Sequence, residues 1–248
     1  MTVVFVHGNP ETPAIWGPLV AVLGRDDVVL LSPPGFGAPL PDGFGATYLE
    51  YRDWLEGELE SIDGPIDLVG HDWGGGHVVN VVMHRPELVR SWASDVVGLF
   101  DADYVWHDMA QAWQTPGAGE ELLDNMMGGG LAARTELMTS LGIPADIAAA
   151  IAEHQNDDMR TAILALYRSA AQPAMAKAGR DLESAAARPG LSLLATEDPY
   201  IGINDTRQRA SERAGARIEV LEGLGHWWMV ESPERGAAAL TAFWDSLG

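Results

Sequence analysis

Val69-Gly70-His71-Asp72-Trp73-Gly74-Gly75 follows a short β-prone run and precedes an apolar stretch of helical length. It has the form Gly-x-nucleophile-x-Gly, in which small residues permit a strained strand-to-helix turn that lifts the central side chain out of a sheet. The central residue is Asp72, and Gly-x-Ser-x-Gly occurs nowhere in the chain. Alone, the segment also reads as a glycine-rich turn with an Asp capping a helix start. Its neighbours in sequence decide between the two.

Upstream, His7-Gly8-Asn9-Pro10 follows the first β-prone run, where such a fold places the loop that supplies a second oxyanion-binding amide. Downstream, Leu193-Leu194-Ala195-Thr196-Glu197-Asp198 ends a strand with an acid. Gly225-His226 follows the last strand, with Glu231 and Pro233 just beyond. The order is nucleophile, acid, histidine. β-rich runs at 3–6, 28–31, 66–69, 89–96, 191–195 and 218–221 alternate with amphipathic stretches at 15–23, 47–61, 73–84, 204–214 and 229–246. That alternation predicts an α/β fold with a mostly parallel sheet flanked by helices. Most of the strands read as continuous apolar runs, as strands covered on both faces do. Between 100 and 182 no strand is evident, only helix-prone sequence punctuated by Gly128-Gly129-Gly130 and Gly142-Ile143-Pro144. The expected organisation is a core of residues 1–99 and 183–248 with a helical lid, 100–182, inserted.

Composition narrows the function. The formal charge is −21 and Lys177 is the only lysine, so the chain repels phosphate backbones and anionic lipid. Nucleic-acid and membrane-surface roles are therefore not expected, and the acidity itself is read as a solubility feature. There is no cysteine, which excludes disulfides and thiolate metal sites. Met1-Thr2-Val3-Val4-Phe5-Val6 runs into a strand with no basic segment before it, and no apolar run approaches the roughly 20 residues of a membrane helix. The expectation is a soluble cytoplasmic protein.

On these motifs the chain resembles the α/β-hydrolase superfamily over nearly its whole length. His71-Asp72-Trp73-Gly74-Gly75 is similar to the branch containing haloalkane dehalogenases and epoxide hydrolases, as is Pro33-Pro34-Gly35-Phe36-Gly37 after the next strand. The leading hairpin strands usual in the family are missing. The resemblance implies an α/β-hydrolase fold with Asp72 as nucleophile, His226 as base, Asp198 orienting it, and backbone amides of Asn9 and Trp73 as oxyanion hole. The chemistry agrees with an aspartate. Attack on an ester carbonyl would give an anhydride, whereas attack at a saturated carbon gives an alkyl ester that water, activated by His226, can hydrolyse.

The leaving group is less determined. In haloalkane dehalogenases an Asn after His-Gly and a Trp after the nucleophile clamp the halide, and Asn9 and Trp73 stand at those places; each also fits as a turn or packing residue. Epoxide hydrolases use two lid tyrosines. Tyr167-Arg168 resembles the second; Met109 stands where the first belongs, with His107 or Tyr104 as substitutes. Pro10-Glu11 and Gly70-His71 also look more like that branch. Tyr167 equally reads as a lid packing residue and His107 as a structural one. A haloacid dehalogenase would want arginines where Trp73 and Gly76 stand. His71 and His77, six apart, fall on different helix faces, so no metal is expected. Trp227 and Trp228 are expected to line the pocket floor or pack the last helix. The reading is a haloalkane dehalogenase without cofactor, acting on a small apolar organic substrate. The alternative is an epoxide hydrolase, and behind both stands a non-enzymatic ligand-binding homologue. Oligomeric state is not read from the sequence.

Overall fold

The computed structural model describes residues 1–248. Six strands, β1 (Thr2–Val6), β2 (Val28–Leu31), β3 (Ile66–Gly70), β4 (Ser91–Ser94), β5 (Gly190–Ala195) and β6 (Ala216–Leu221), form one sheet in the order β2-β1-β3-β4-β5-β6. Every pairing is parallel. All strands therefore end at one edge, and the loops leaving that edge can meet. The crossovers carry α1 (Gly17–Leu23), α2 (Tyr48–Glu60) and α3 (Trp73–His84) in the first half. α10 (Asn204–Arg213), α11 (Trp228–Glu231) and α12 (Pro233–Asp245) belong to the second.

Alternation along the strands sorts the core. Val4 and Val6 face the layer of α2 and α3, while Val3 and Phe5 face that of α1 and α12. β1, β3, β4 and β5 are buried nearly throughout. β2 and β6 are sheet edges and only half-buried, so the expectation of two-sided cover holds for the centre alone. α2 starts at Thr47, whose side chain accepts from Glu50 N–H while Glu50 reaches back to Thr47 N–H, a reciprocal cap.

Three expected elements differ. The run at 89–96 is a strand only over Ser91–Ser94; beyond it Ser94 Oγ takes the Val96 N–H and the chain enters a 3-10 turn, Val97–Phe100. The last helix breaks at Ser232 because Pro233 drives its predecessor to extended φ/ψ (−148°, 72°). The first helix begins as a 3-10 turn at Pro13–Trp16. Between β4 and β5 the chain is helical throughout. α4 (Asp108–Gln114), α5 (Ala118–Met127), α6 (Leu131–Ser140), α7 (Ala145–Glu153), α8 (Asp157–Ser169) and α9 (Ala174–Ala178) lead into a kinked 3-10 stretch, Gly179–Ala187. Trp113, Leu123, Ile163 and Leu166 join the α2/α3 core, and Met138, Ile147 and Ile151 join the other. The helical segment thus shares its apolar interior with the sheet layers.

Candidate active site

Asp72 lies between β3 and α3 at φ 49°, ψ −128°. A non-glycine residue held there costs about 1–3 kcal/mol and must be fixed by its surroundings. The small neighbours make room: a Cβ on Gly74 would lie 2.1 Å from the Val6 carbonyl oxygen, and one on Gly8 2.3 Å from Asp72 Oδ1. Hydrogen bonds then hold the turn. His71 N–H donates to the Val6 carbonyl at 3.0 Å, and Asp72 N–H to Asp95 Oδ1 at 3.0 Å. Asn9 N–H donates to Asp72 Oδ1 at 2.9 Å. One amide of the expected oxyanion hole therefore already grips the carboxylate.

The histidine loop after β6 brings His226 over the other oxygen. His226 Nε2 is 3.8 Å from Asp72 Oδ2, and Nδ1 is 2.7 Å from Asp198 Oδ2. Asp198 Oδ1 accepts from Tyr200 N–H at 2.8 Å, and buried Arg207 holds the end of β5 by donating to the Ala195 carbonyl at 2.8 Å. Glu231 accepts from Gly225 N–H at 2.7 Å and turns the loop that carries the histidine. Burial lifts Asp72 to about 6, against the pull of His226 and His71. Burial would lower His226, but the Asp198 carboxylate outweighs it and the net shift is upward. Asp198 moves the other way, below the usual carboxylate range, because His226 more than offsets its burial.

Asp72 is 14% exposed, toward a narrow cleft lined by Asn9, Met109, Trp113, Tyr167, His226 and Trp227. Asn9 Nδ2 donates to the Tyr167 hydroxyl at 3.3 Å, and Trp73 meets the Tyr167 ring edge-on with centroids 5.4 Å apart. Asn9, Trp73 and Tyr167, expected separately for two different leaving groups, converge on one point. Burial, reinforced by Asp72, drives the Tyr167 hydroxyl well above its ordinary pKa, so it stays a neutral donor. The Tyr104 hydroxyl donates to the Tyr200 carbonyl at 3.2 Å, and the ring lines a neighbouring pocket with Asp72, Trp73 and Tyr167. His107 caps α4, its Nδ1 accepting from Ala110 N–H at 3.3 Å, and it lines the cleft. Burial lowers it to about 4. It is neutral, with its proton on Nε2. Met109 faces the cleft where the first lid tyrosine was sought.

Beneath these groups lies a set the sequence reading did not assemble. His71 Nδ1 is 2.5 Å from Asp95 Oδ2 and its Nε2 3.0 Å from Glu11 Oε1. Trp227 Nε1 donates to Glu11 and Trp228 Nε1 to Asp95, both at 2.7 Å. The two tryptophans thus fasten the histidine loop to that pair, and Trp227 also lines the cleft. The local signals were Pro10-Glu11 and a lone Asp95 at a strand end; neither carries a role without the fold. His77 lies apart, its ring stacked 4.8 Å from Tyr51. Glu11, His71 and His226 come close enough to share a metal ion. Both His71 nitrogens, however, already face carboxylates, and His226 Nδ1 faces Asp198. The donor set does not fit a metal.

A parallel sheet with a strained strand-to-helix turn, an acid after β5 and a histidine after β6 defines an α/β-hydrolase. The chain belongs to the alpha/beta hydrolase family, which matches residues 3–239. It is similar to a haloalkane dehalogenase of Mesorhizobium japonicum, 29% identical over 136 residues. That match spans 49% of this chain and 42% of the relative, so less than half the relative's length is represented. Among solved structures, the epoxide hydrolase VrEH1 from Vigna radiata superposes with a TM-score of 0.79 at 17% identity, covering 99% of this chain and 91% of that one. A haloalkane dehalogenase from Bradyrhizobium elkani gives 0.74 at 22% identity, with the same coverage. At such identities the superpositions establish the fold. No helix is long and apolar enough to cross a membrane.

Proposed function

We propose that the chain is a cofactor-independent hydrolase of small apolar organic molecules that works through a covalent alkyl ester on Asp72. The observation that carries this is the two-sided environment of that carboxylate. Oδ1 accepts the Asn9 amide while Oδ2 faces His226 Nε2 at 3.8 Å, too far for a hydrogen bond. Oδ2 is then the attacking oxygen. Its bond to the substrate carbon forms as the leaving group departs with the bonding pair. Water next adds to Asp72 Cγ, giving its proton to His226 Nε2, and the oxyanion develops on Oδ1 against the Asn9 and Trp73 amides. Collapse returns the proton to the alkoxide and releases an alcohol. In this reading helices α4 to α9 form the lid expected at 100–182 and shape the cleft.

The preferred leaving group is a halide. Asn9 and Trp73 stand where the clamp needs them, and similarity to a haloalkane dehalogenase supports it. One observation favours an epoxide instead. The Tyr167 oxygen is occupied by the Asn9 N–H, which leaves the hydroxyl proton for an opening alkoxide. Parallel assays of purified protein with bromoalkane and epoxide panels decide between them. Bromide release with alcohol formation is expected; diol formation without bromide release transfers the assignment to the epoxide and leaves the role of Asp72 in place.

A further inference from the structure

The loop that carries Asp198 runs from the end of β5 to the start of α10, residues 196–203. On the β6 side its backbone ties it down: Thr196 N–H donates to the Leu221 carbonyl at 3.3 Å, and Glu197 N–H to the Leu224 carbonyl at 2.9 Å. On the other side a single side chain closes it. Arg207 Nη1 donates to the Ala195 carbonyl, just before the loop, at 2.8 Å and to Asn204 Oδ1, just after it, at 3.1 Å. The Ala195 oxygen also accepts the Asp198 N–H at 3.4 Å, so the guanidinium and the amide of the acid meet on one atom. Arg207 is itself fixed. A Cβ on Gly98 would lie 3.0 Å from its Cγ, and Ser211 Oγ lies 2.7 Å from both the Arg207 carbonyl and Ser192 Oγ on β5. The residue is 1% exposed, and both partners of its guanidinium are neutral. Burying a cation without a carboxylate partner costs free energy, so packing alone would favour an apolar residue of the same length.

We propose that Arg207 is a positioning residue for the second half-reaction: by closing the 196–203 loop it holds Asp198 against His226, and so aims the base that hydrolyses the ester. The proposal rests on reading Asp72 as the nucleophile. The line of contacts is short. Arg207 fixes the Ala195 carbonyl, that carbonyl takes the Asp198 N–H, and Asp198 Oδ2 meets His226 Nδ1 at 2.7 Å. This last bond sets the tilt of the ring, whose Nε2 stands 3.8 Å from Asp72 Oδ2 and must face the attacking water. Formation of the ester uses none of these contacts. Asp72 is held for it by the Asn9 amide and by Asp95, and the leaving-group donors stand on the β1 loop, α3 and α8. The two half-reactions should therefore respond differently to a loosened loop, which a general loss of stability would not produce.

The test separates the two steps in Arg207→Met, which keeps the length of the stem and loses both bonds. Rapid-quench mass spectrometry with the bromoalkane and epoxide panels gives the rates at which adduct forms and decays. Decay should slow about tenfold or more, since misplacement by an ångström costs on the order of a hundredfold, while formation changes less than about twofold. The downfield ¹H resonance of the His226 Nδ1–H bonded to Asp198 reads the same contact without turnover, and should weaken or move upfield. If Arg207→Met does not fold, Asn204→Ala removes one of the two bonds from an exposed position and should shift both readouts in the same direction by less. Equal slowing of both steps, or decay and resonance unchanged in whichever variant folds, overturns the proposal. Failure of the parent reading looks different: His226→Gln accumulates no adduct with either substrate class, while the Nδ1–H resonance still responds to the loss of Arg207.

Discussion

The site has a floor and a roof, and they are built by different physics. The floor comes from the strand ends: Asp72, Asn9, His226, Asp198 and the Glu11–His71–Asp95 set, joined by hydrogen bonds of 2.5 to 3.1 Å. The roof comes from α4 and α8: Met109, Trp113 and Tyr167, placed largely by apolar and aromatic packing such as the 4.7 Å Trp113–Tyr167 contact. One side-chain hydrogen bond, Asn9 Nδ2 to the Tyr167 hydroxyl, crosses from floor to roof beside Asp72. Directional bonds fix geometry closely, whereas dispersion tolerates exchange of similar volumes. The floor is therefore expected to set what reaction occurs, and the roof to set which molecule undergoes it.

The largest effect should come from the floor. Asp72→Asn replaces the carboxylate by a feeble nucleophile and should remove at least ~8 kcal/mol of barrier lowering, the low end of enzymatic acceleration. Stopped-flow and endpoint assays on protein checked by mass spectrometry for deamidation should find no turnover. Near-normal activity in an undeamidated sample would break the comparison.

Next is His226→Gln. The first half-reaction needs only Asp72 and the leaving-group donors, so a covalent adduct should accumulate and stay. Intact-protein mass spectrometry after mixing with substrate reads it directly. Multiple turnovers with no adduct would exclude the two-step scheme.

The crossing point separates floor from roof. Loss of one donor to a developing charge costs about 3 kcal/mol. With a halide leaving, Trp73→Phe should lose about that much in kcat/KM while Tyr167→Phe is mild. With an epoxide opening, the sensitivities exchange. Equal, small losses in both would mean that neither residue touches the leaving group.

The smallest effect is with pH. Burial raises the Asp72 pKa to about 6, and only the ionised form attacks. Single-turnover alkylation should therefore be full above that value and fall as pH drops through it. In the ester Asp72 is neutral and no longer raises His226, so the histidine is a base over a wider range once the adduct forms. An alkylation rate independent of pH between 5 and 7 would contradict the first statement.

Much of the floor was legible because its motifs are local. A strand, a glycine, an acid and two more glycines specify a turn within seven residues, and the strand ends carry Asn9, Asp198 and His226 in the order the topology needs. Glu11 and Asp95 were not, because their meaning is the 2.5 and 3.0 Å contacts with His71, and Asp95 lies 24 residues from it. The break at Ser232 is marked in the sequence by Pro233. The overlong strand at 89–96 had no such marker: neither Pro nor Gly interrupts it, and a side-chain bond from Ser94 ends it. The roof was the least legible. Its helices follow from composition, but which of Tyr104, His107, Met109 and Tyr167 faces the cleft depends on how they pack.

The bond between Trp227 Nε1 and Glu11 joins positions 216 residues apart in a chain of 248. Every strand pairing is a parallel crossover, so such long closures recur across the fold. A growing polypeptide displays Glu11, His71 and Asp72 long before Trp227 or His226 exists. In the proposed reaction Asp72 lacks its base until residue 226 has been made, so activity reports that segments more than 150 residues apart have found each other.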